Sequence, residues 1–120
     1  MEDIRLFDSE FRFMTLVWDN EPVSSMKLVE LSEKEMKWKK STTFTMLKKM
    51  CEKGFALNRG AVVTSLVSRE EVQAAESERV IERTFAGSLP EFLVSFLGSK
   101  KLSLEETERL KKLIDEHKEE

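Results

Sequence analysis

The segment Lys39-Lys40-Ser41-Thr42-Thr43-Phe44-Thr45-Met46-Leu47-Lys48-Lys49-Met50 concentrates hydroxyl and ammonium groups within a stretch of helical length. Hydroxyls both donate and accept hydrogen bonds, and a threonine methyl can touch a thymine methyl. Ammonium groups neutralise phosphates and release condensed counterions, which drives association with a polyanion. Together these groups suit the major groove of double-stranded DNA. Ser41, Thr42, Thr43 and Thr45 are the candidates for base edges, and Lys39, Lys40, Lys48 and Lys49 for phosphate. Ser41 is equally suited to an N-cap, whereas Thr42 and Thr45 lie beyond any cap. Arg59, in a predicted turn after this segment, would reach backbone or the minor groove.

The distribution of charge singles out the same region. The net charge of −3 hides a segregation: residues 1–36 carry −5, residues 37–69 carry +7 with Glu52 as the only acid, and residues 70–120 carry −5. A basic island in an acidic chain points to one local polyanion contact rather than to general stickiness. On charge alone, a solvated lysine-rich helix face is an equal reading.

Other chemistries find little support. Cys51 and His117 are the only residues of their types, so an intrachain disulfide is excluded and a zinc site of the usual ligand types is not expected. An all-carboxylate site stays open. There is no Gly-rich phosphate loop and no histidine near a nucleophile, so the chain is expected not to be an enzyme and to need no cofactor. Cys51 suits a small packing residue; as a redox-sensitive thiol it would draw on Lys48 and Lys49 to favour thiolate. The acidic opening residues do not resemble a signal peptide and no apolar run is long enough to span a bilayer, which predicts a cytoplasmic chain with no membrane contact.

The elements that would position these residues follow from periodicity and punctuation. A first helix is expected from about Asp8, with Asp8 or Ser9 as N-cap, to Asp19, with Phe11, Met14, Leu16, Val17 and Trp18 on its apolar face. It is broken by Asn20-Glu21-Pro22. A second helix runs from Ser24 or Ser25 to about Met36, and a third from Ser41 to Lys53, closed by Gly54. Short β-friendly runs then flank an Asn58-Arg59-Gly60 turn, which predicts a hairpin. Three short helices followed by a hairpin make a winged helix-turn-helix, in which the second helix of the motif enters the major groove. Scarce Gly and Pro argue against a β-sandwich.

Residues 68–120 are expected to be helical. Ser68 with Glu71 and Ser103 with Glu106 fit capping boxes, and Pro90 suits the first turn of a short apolar helix ended by Gly98. Leu89, Phe92, Leu93, Phe96 and Leu97 are dense for so short a helix, and Leu110, Leu113 and Ile114 line the last one. A second copy of the chain is the natural cover for them, although packing against the chain's own N-terminal half is an alternative. The predicted class is therefore mainly α: residues 1–67 form a winged helix-turn-helix with a small two-stranded wing, and residues 68–120 a three-helix dimerisation region. A winged helix that binds protein, or a repressor released by a small ligand, would use the same elements.

The ordered set of motifs resembles the penicillinase-repressor family (BlaI/MecI/CopY type). The resemblance rests on Asp8-Ser9-Glu10 leading to Val17-Trp18; on Trp38 with Thr42, Thr45, Leu47 and Lys49; and on Lys53-Gly54-Phe55. It continues through Leu66 to Glu71, Phe85 to Ser88, Leu102-Ser103 with Glu105-Glu106, and Leu110 to Leu113. It covers about Leu6 to the C-terminus and implies a homodimer that binds palindromic operator DNA and blocks transcription, often of antibiotic-resistance genes. In antibiotic-responsive members it also implies release by a regulatory protease that cuts an Asn-Phe bond in the apolar C-terminal helix; the matching pair here is Ser95-Phe96. Several positions depart from the family pattern. Lys39-Lys40 stands where Ser-Pro is usual, Phe44 where a polar residue is common, and the wing lacks two tyrosines. The cysteine cluster of the copper-responsive branch is missing.

Overall fold

The computed structural model describes residues 4–119. The elements are α1 (Asp8–Asn20), β1 (Val23–Ser24), α2 (Ser25–Met36), α3 (Lys40–Glu52), β2 (Ala56–Arg59), β3 (Val62–Ser65), α4 (Arg69–Phe85), α5 (Leu89–Leu97) and α6 (Leu104–His117). The sheet is antiparallel with order β1-β3-β2. The wing hairpin expected from sequence is therefore joined by a two-residue third strand, in which Val23 opposes Val63 and Ser24 opposes Val62. The fold is mainly helical with this small sheet, a winged helix.

α1 buries Glu10, Phe13, Met14 and Val17, an i, i+3, i+4, i+7 stripe. Phe11, Leu16 and Trp18, expected on the apolar face, pack only at its margin. The helix begins at Asp8 as expected, but its N-cap is Phe7 rather than Asp8 or Ser9, and the Phe7 N–H donates to the Glu10 carboxylate at 2.9 Å. α2 opens on Ser24, whose hydroxyl accepts from the Lys27 N–H, and buries Ser25, Leu28 and Ser32. α3 buries Thr43, Leu47 and Met50. Phe13, Met14, Val17, Leu28, Leu47 and Met50 meet Phe55 of the turn after α3, Val23, Ala56 and Val63 of the strands and Val72 of α4 in one core. Each fully buried side chain of this size contributes about 1.5–3 kcal/mol.

The end of α3 is a Schellman motif. The Phe55 N–H donates to Met50 O at 2.9 Å and the Gly54 N–H to Cys51 O at 3.1 Å, with Gly54 at φ +84°. This turn carries the chain from α3 into β2. The wing turn is Gly60-Ala61, both at positive φ, with Arg59 opposite Val62. That is the type I′ geometry of a two-residue hairpin. The expected Asn58-Arg59-Gly60 turn is thus displaced, and Asn58 and Arg59 are strand residues.

α4 starts with a complete capping box: the Glu71 N–H donates to Ser68 Oγ, and the Ser68 N–H to Glu71 Oε1, both at 3.0 Å. The chain forms two compact units that divide inside α4, between Arg79 and Val80; the sequence reading places a domain boundary at 67/68, just before this cap. In the second unit, Ser88 caps α5 and Ser103 caps α6 through the N–H groups of Glu91 and Glu106. Phe92 lies edge-on to Phe85 and stacks on Phe96. α5 and α6 contain no buried residue. Among the described residues no helix is long and apolar enough to cross a membrane.

Candidate nucleic-acid interface

α3 presents two faces because its buried residues recur at i, i+4, i+7. Thr43, Leu47 and Met50 point inward, which leaves Lys40, Ser41, Thr42, Phe44, Thr45, Lys48 and Lys49 outward. Ser41, Thr42, Thr45, Met46 and Lys49 line a shallow groove along the helix. The helix starts one residue earlier than its sequence predicts: Lys39 is the N-cap and makes no side-chain cap bond. Ser41 is therefore not a cap, and its hydroxyl belongs to the exposed first turn.

Thr43 is the correction within this set. It is 1% exposed, and its hydroxyl donates to Lys39 O within the helix. Its side chain belongs to the core and cannot meet a base edge. Phe44, whose orientation sequence left open, lies on the outer face, 36% exposed, with the Lys40 ammonium 5.9 Å from its ring centroid. Arg59 stands apart from α3, exposed at the end of β2 in the wing.

The basic island divides into bound and unbound cations. Glu10 of α1 is 1% exposed and reaches α3: Lys49 Nζ lies 2.9 Å from its Oε2, and Lys53 Nζ 3.3 Å from both carboxylate oxygens. Burial would raise the Glu10 carboxyl, but the Phe7 N–H and the two lysines outweigh it and hold the group below its ordinary range. Lys53 also lies over the rings of Phe7 and Phe55. Arg69 pairs with Asp19 and covers Trp18, and the Trp18 indole N–H donates to Val67 O. Arg69 thus serves the junction of α1 and α4. Among the described residues, Lys37, Lys39, Lys40, Lys48 and Arg59 of the island have no ion-pair partner, and Lys39, Lys40 and Lys48 on or beside α3, with Arg59 in the wing, are the ones placed to meet phosphate.

Sequence reasoning missed Glu10 and Lys53 as parts of the site. Glu10 sits among nine acids in the first 36 residues, and only its place on the buried stripe sets it apart. Cys51 is half-buried and packs against the core, in keeping with its reading as a small packing residue. Desolvation raises its thiol pKa and Glu52 adds to this, against a lowering hydrogen bond from the Asn58 backbone. The raised thiol pKa disfavours the alternative reading of a lysine-promoted thiolate. No cluster of metal-ligating side chains occurs among the described residues.

The penicillinase repressor family model matches residues 6–116. The chain belongs to the penicillinase repressor family. It is similar to the penicillinase repressor of Bacillus licheniformis, with 27% identity over 119 residues that cover 95% of this chain and 92% of the relative. It also resembles the solution structure of the Bacillus licheniformis BlaI monomeric form in complex with the blaP half-operator. The TM-score is 0.50 at 22% identity, over 59% of this chain and 93% of the other. That likeness supports the winged-helix fold, and the family match places nearly the whole chain, α5 and most of α6 included, within the penicillinase repressor pattern.

Proposed function

We propose that this chain is a transcriptional repressor that binds double-stranded operator DNA as a homodimer, with α3 in the major groove and the wing against the backbone. The observation that carries the reading is the outer face of α3. Ser41, Thr42 and Thr45 offer hydroxyls there, beside Lys39, Lys40 and Lys48, whose ammonium groups no acid among the described residues neutralises. Lys49 shares its charge with Glu10 and contributes less to phosphate. The relative whose solved form holds a half-operator supports the same role for the winged region. In this reading residues 1–67 bind DNA in the cytoplasm and residues 68–120 dimerise.

The exposed leucine and phenylalanine side chains of the second unit support self-association. Phe96 is 55% exposed, and Leu89, Leu110, Leu113 and Ile114 are exposed beside half-buried Phe92, Leu93 and Leu97. An apolar surface of this kind is normally covered by a partner, and a two-fold dimer reads two half-sites at once. Release by a regulatory protease at Ser95-Phe96 is part of the proposal. Both residues are exposed but lie inside α5, so the helix must unwind locally before that bond can enter a protease cleft. Control of antibiotic-resistance genes is the regulatory role that family membership favours.

The test is fluorescence anisotropy on the duplex upstream of this protein's own gene and on a scrambled duplex, over a salt series. Preferential binding that falls linearly in log–log salt supports the repressor reading; equal, salt-insensitive binding overturns it. Lys48→Ala should reduce the salt slope by about 0.9 on both duplexes. Thr42→Ala should instead erode discrimination between them, by about 1–3 kcal/mol per lost base contact.

A further inference from the structure

Ser41, Phe44, Thr45 and Lys48 follow one another at i, i+3, i+4 and i+7, a single outward stripe of α3. The ring of Phe44 is central to that stripe. Lys40 stands one turn before it, with its ammonium near the ring, and Lys48 one turn after it. Hydroxyls at 41 and 45 flank it along the same face. A half-exposed phenylalanine between two cations is poorly suited to water and makes no contribution to the core. Lysines able to grip phosphate on either side of a groove would hold the intervening ring toward the groove floor. Among the groups presented there, the thymine 5-methyl is the apolar one, and it is a recognised target for phenylalanine.

We propose that Phe44 is a specificity-determining residue that packs on the 5-methyl group of a thymine in the major groove. The proposal rests on the DNA-binding reading above and adds to it the base chemistry that the recognition helix selects. Ser41 and Thr45 supply hydrogen bonds to the base edges beside that methyl group, and Lys40 and Lys48 fix the register.

The full-length protein is used to select binders from a random-sequence duplex library. The winning duplex is then synthesised twice, with thymidine and with deoxyuridine throughout, a change that removes only the methyl groups. The wild type should bind the deoxyuridine duplex more weakly, by about fourfold for each contacted methyl group lost. In Phe44→Ala the thymidine-to-deoxyuridine affinity ratio should shrink by that factor. Affinity for the deoxyuridine duplex should stay close to wild type, with an unchanged circular dichroism spectrum because the ring is outside the core. Enrichment followed by equal wild-type binding to both duplexes overturns the Phe44 proposal alone. So does a Phe44→Ala variant that keeps the full ratio, since the threonine methyls would then be the readers. A library with no enriched sequence overturns the DNA-binding reading, and this proposal with it.

Discussion

Glu10 and Ser32 are two buried polar residues of opposite consequence. Glu10 has its oxygens occupied by one N–H and two ammonium groups, so the folded state favours its ionised form. A carboxyl held below its unfolded value contributes stability that is present above about pH 4.3 and is lost as pH falls through the lower folded value. The urea midpoint of the wild type should therefore drop between pH 5 and pH 3. Glu10→Gln should begin lower at pH 7, because two lysines lose their counter-charge, and should show a flatter acid limb. An unchanged slope in the variant would show that other carboxylates control acid unfolding. Ser32 is fully buried and its hydroxyl has no hydrogen-bond partner. Ser32→Ala should raise stability by about 1 kcal/mol, since it removes an unsatisfied hydroxyl at the loss of one small atom from the packing; a lower thermal midpoint would contradict this. Neither residue was legible in the sequence. A glutamate in an acidic stretch and a serine within a helix carry no local mark of burial, and the lysine partners of Glu10, Lys49 and Lys53, are distant along the chain.

Element by element, legibility followed the strength of local signals. The serine caps at 24, 68 and 103 stand where the sequence predicts helix starts, because a hydroxyl is useful there and Glu or Lys follows in the first turn. Lys39 gave no such signal: it is the N-cap of α3 but makes no side-chain cap bond, so Ser41 looked like the start. β1 was invisible because two residues cannot display a period. The wing turn was displaced because Ala61 adopts a left-handed conformation that alanine does not advertise. That conformation carries about 1 kcal/mol of strain. Ala61→Gly should relieve most of it and raise the thermal midpoint, provided the Ser25 N–H keeps its bond to the residue 61 carbonyl. A fall in the midpoint would mean that the added chain entropy of glycine outweighs the strain relieved.

The whole molecule combines a well-packed winged unit with a second unit that has helices but no buried residue of its own in α5 or α6. Helices of this length are marginal alone in water, and in the proposed dimer a second copy supplies the packing that stabilises them. Phe96→Lys places a charge in the exposed apolar cluster. In sedimentation experiments it should convert a micromolar dimer into monomer, while the melting of the winged core, marked by Phe13, Leu28 and Phe55, is retained. A wild type that sediments as a monomer at that concentration would remove the dimer from the proposal. In the sequence, the density of Leu and Phe around Pro90 is what sets the C-terminal helices apart. The point at which the compact units separate, inside a continuous helix, has no punctuation in the sequence.

The placement of the two tryptophans gives the protein its own optical reporters. Trp38 stacks on Phe13 just ahead of α3, while Trp18 lies beneath the Arg69 guanidinium with its indole N–H bound at the exit from the wing. With no tyrosine in the chain, ultraviolet emission excited near 295 nm comes from these two indoles alone. A ligand seated on α3 should shift the Trp38 component and spare that of Trp18, and a single-tryptophan variant at either position would separate the two signals without a dye.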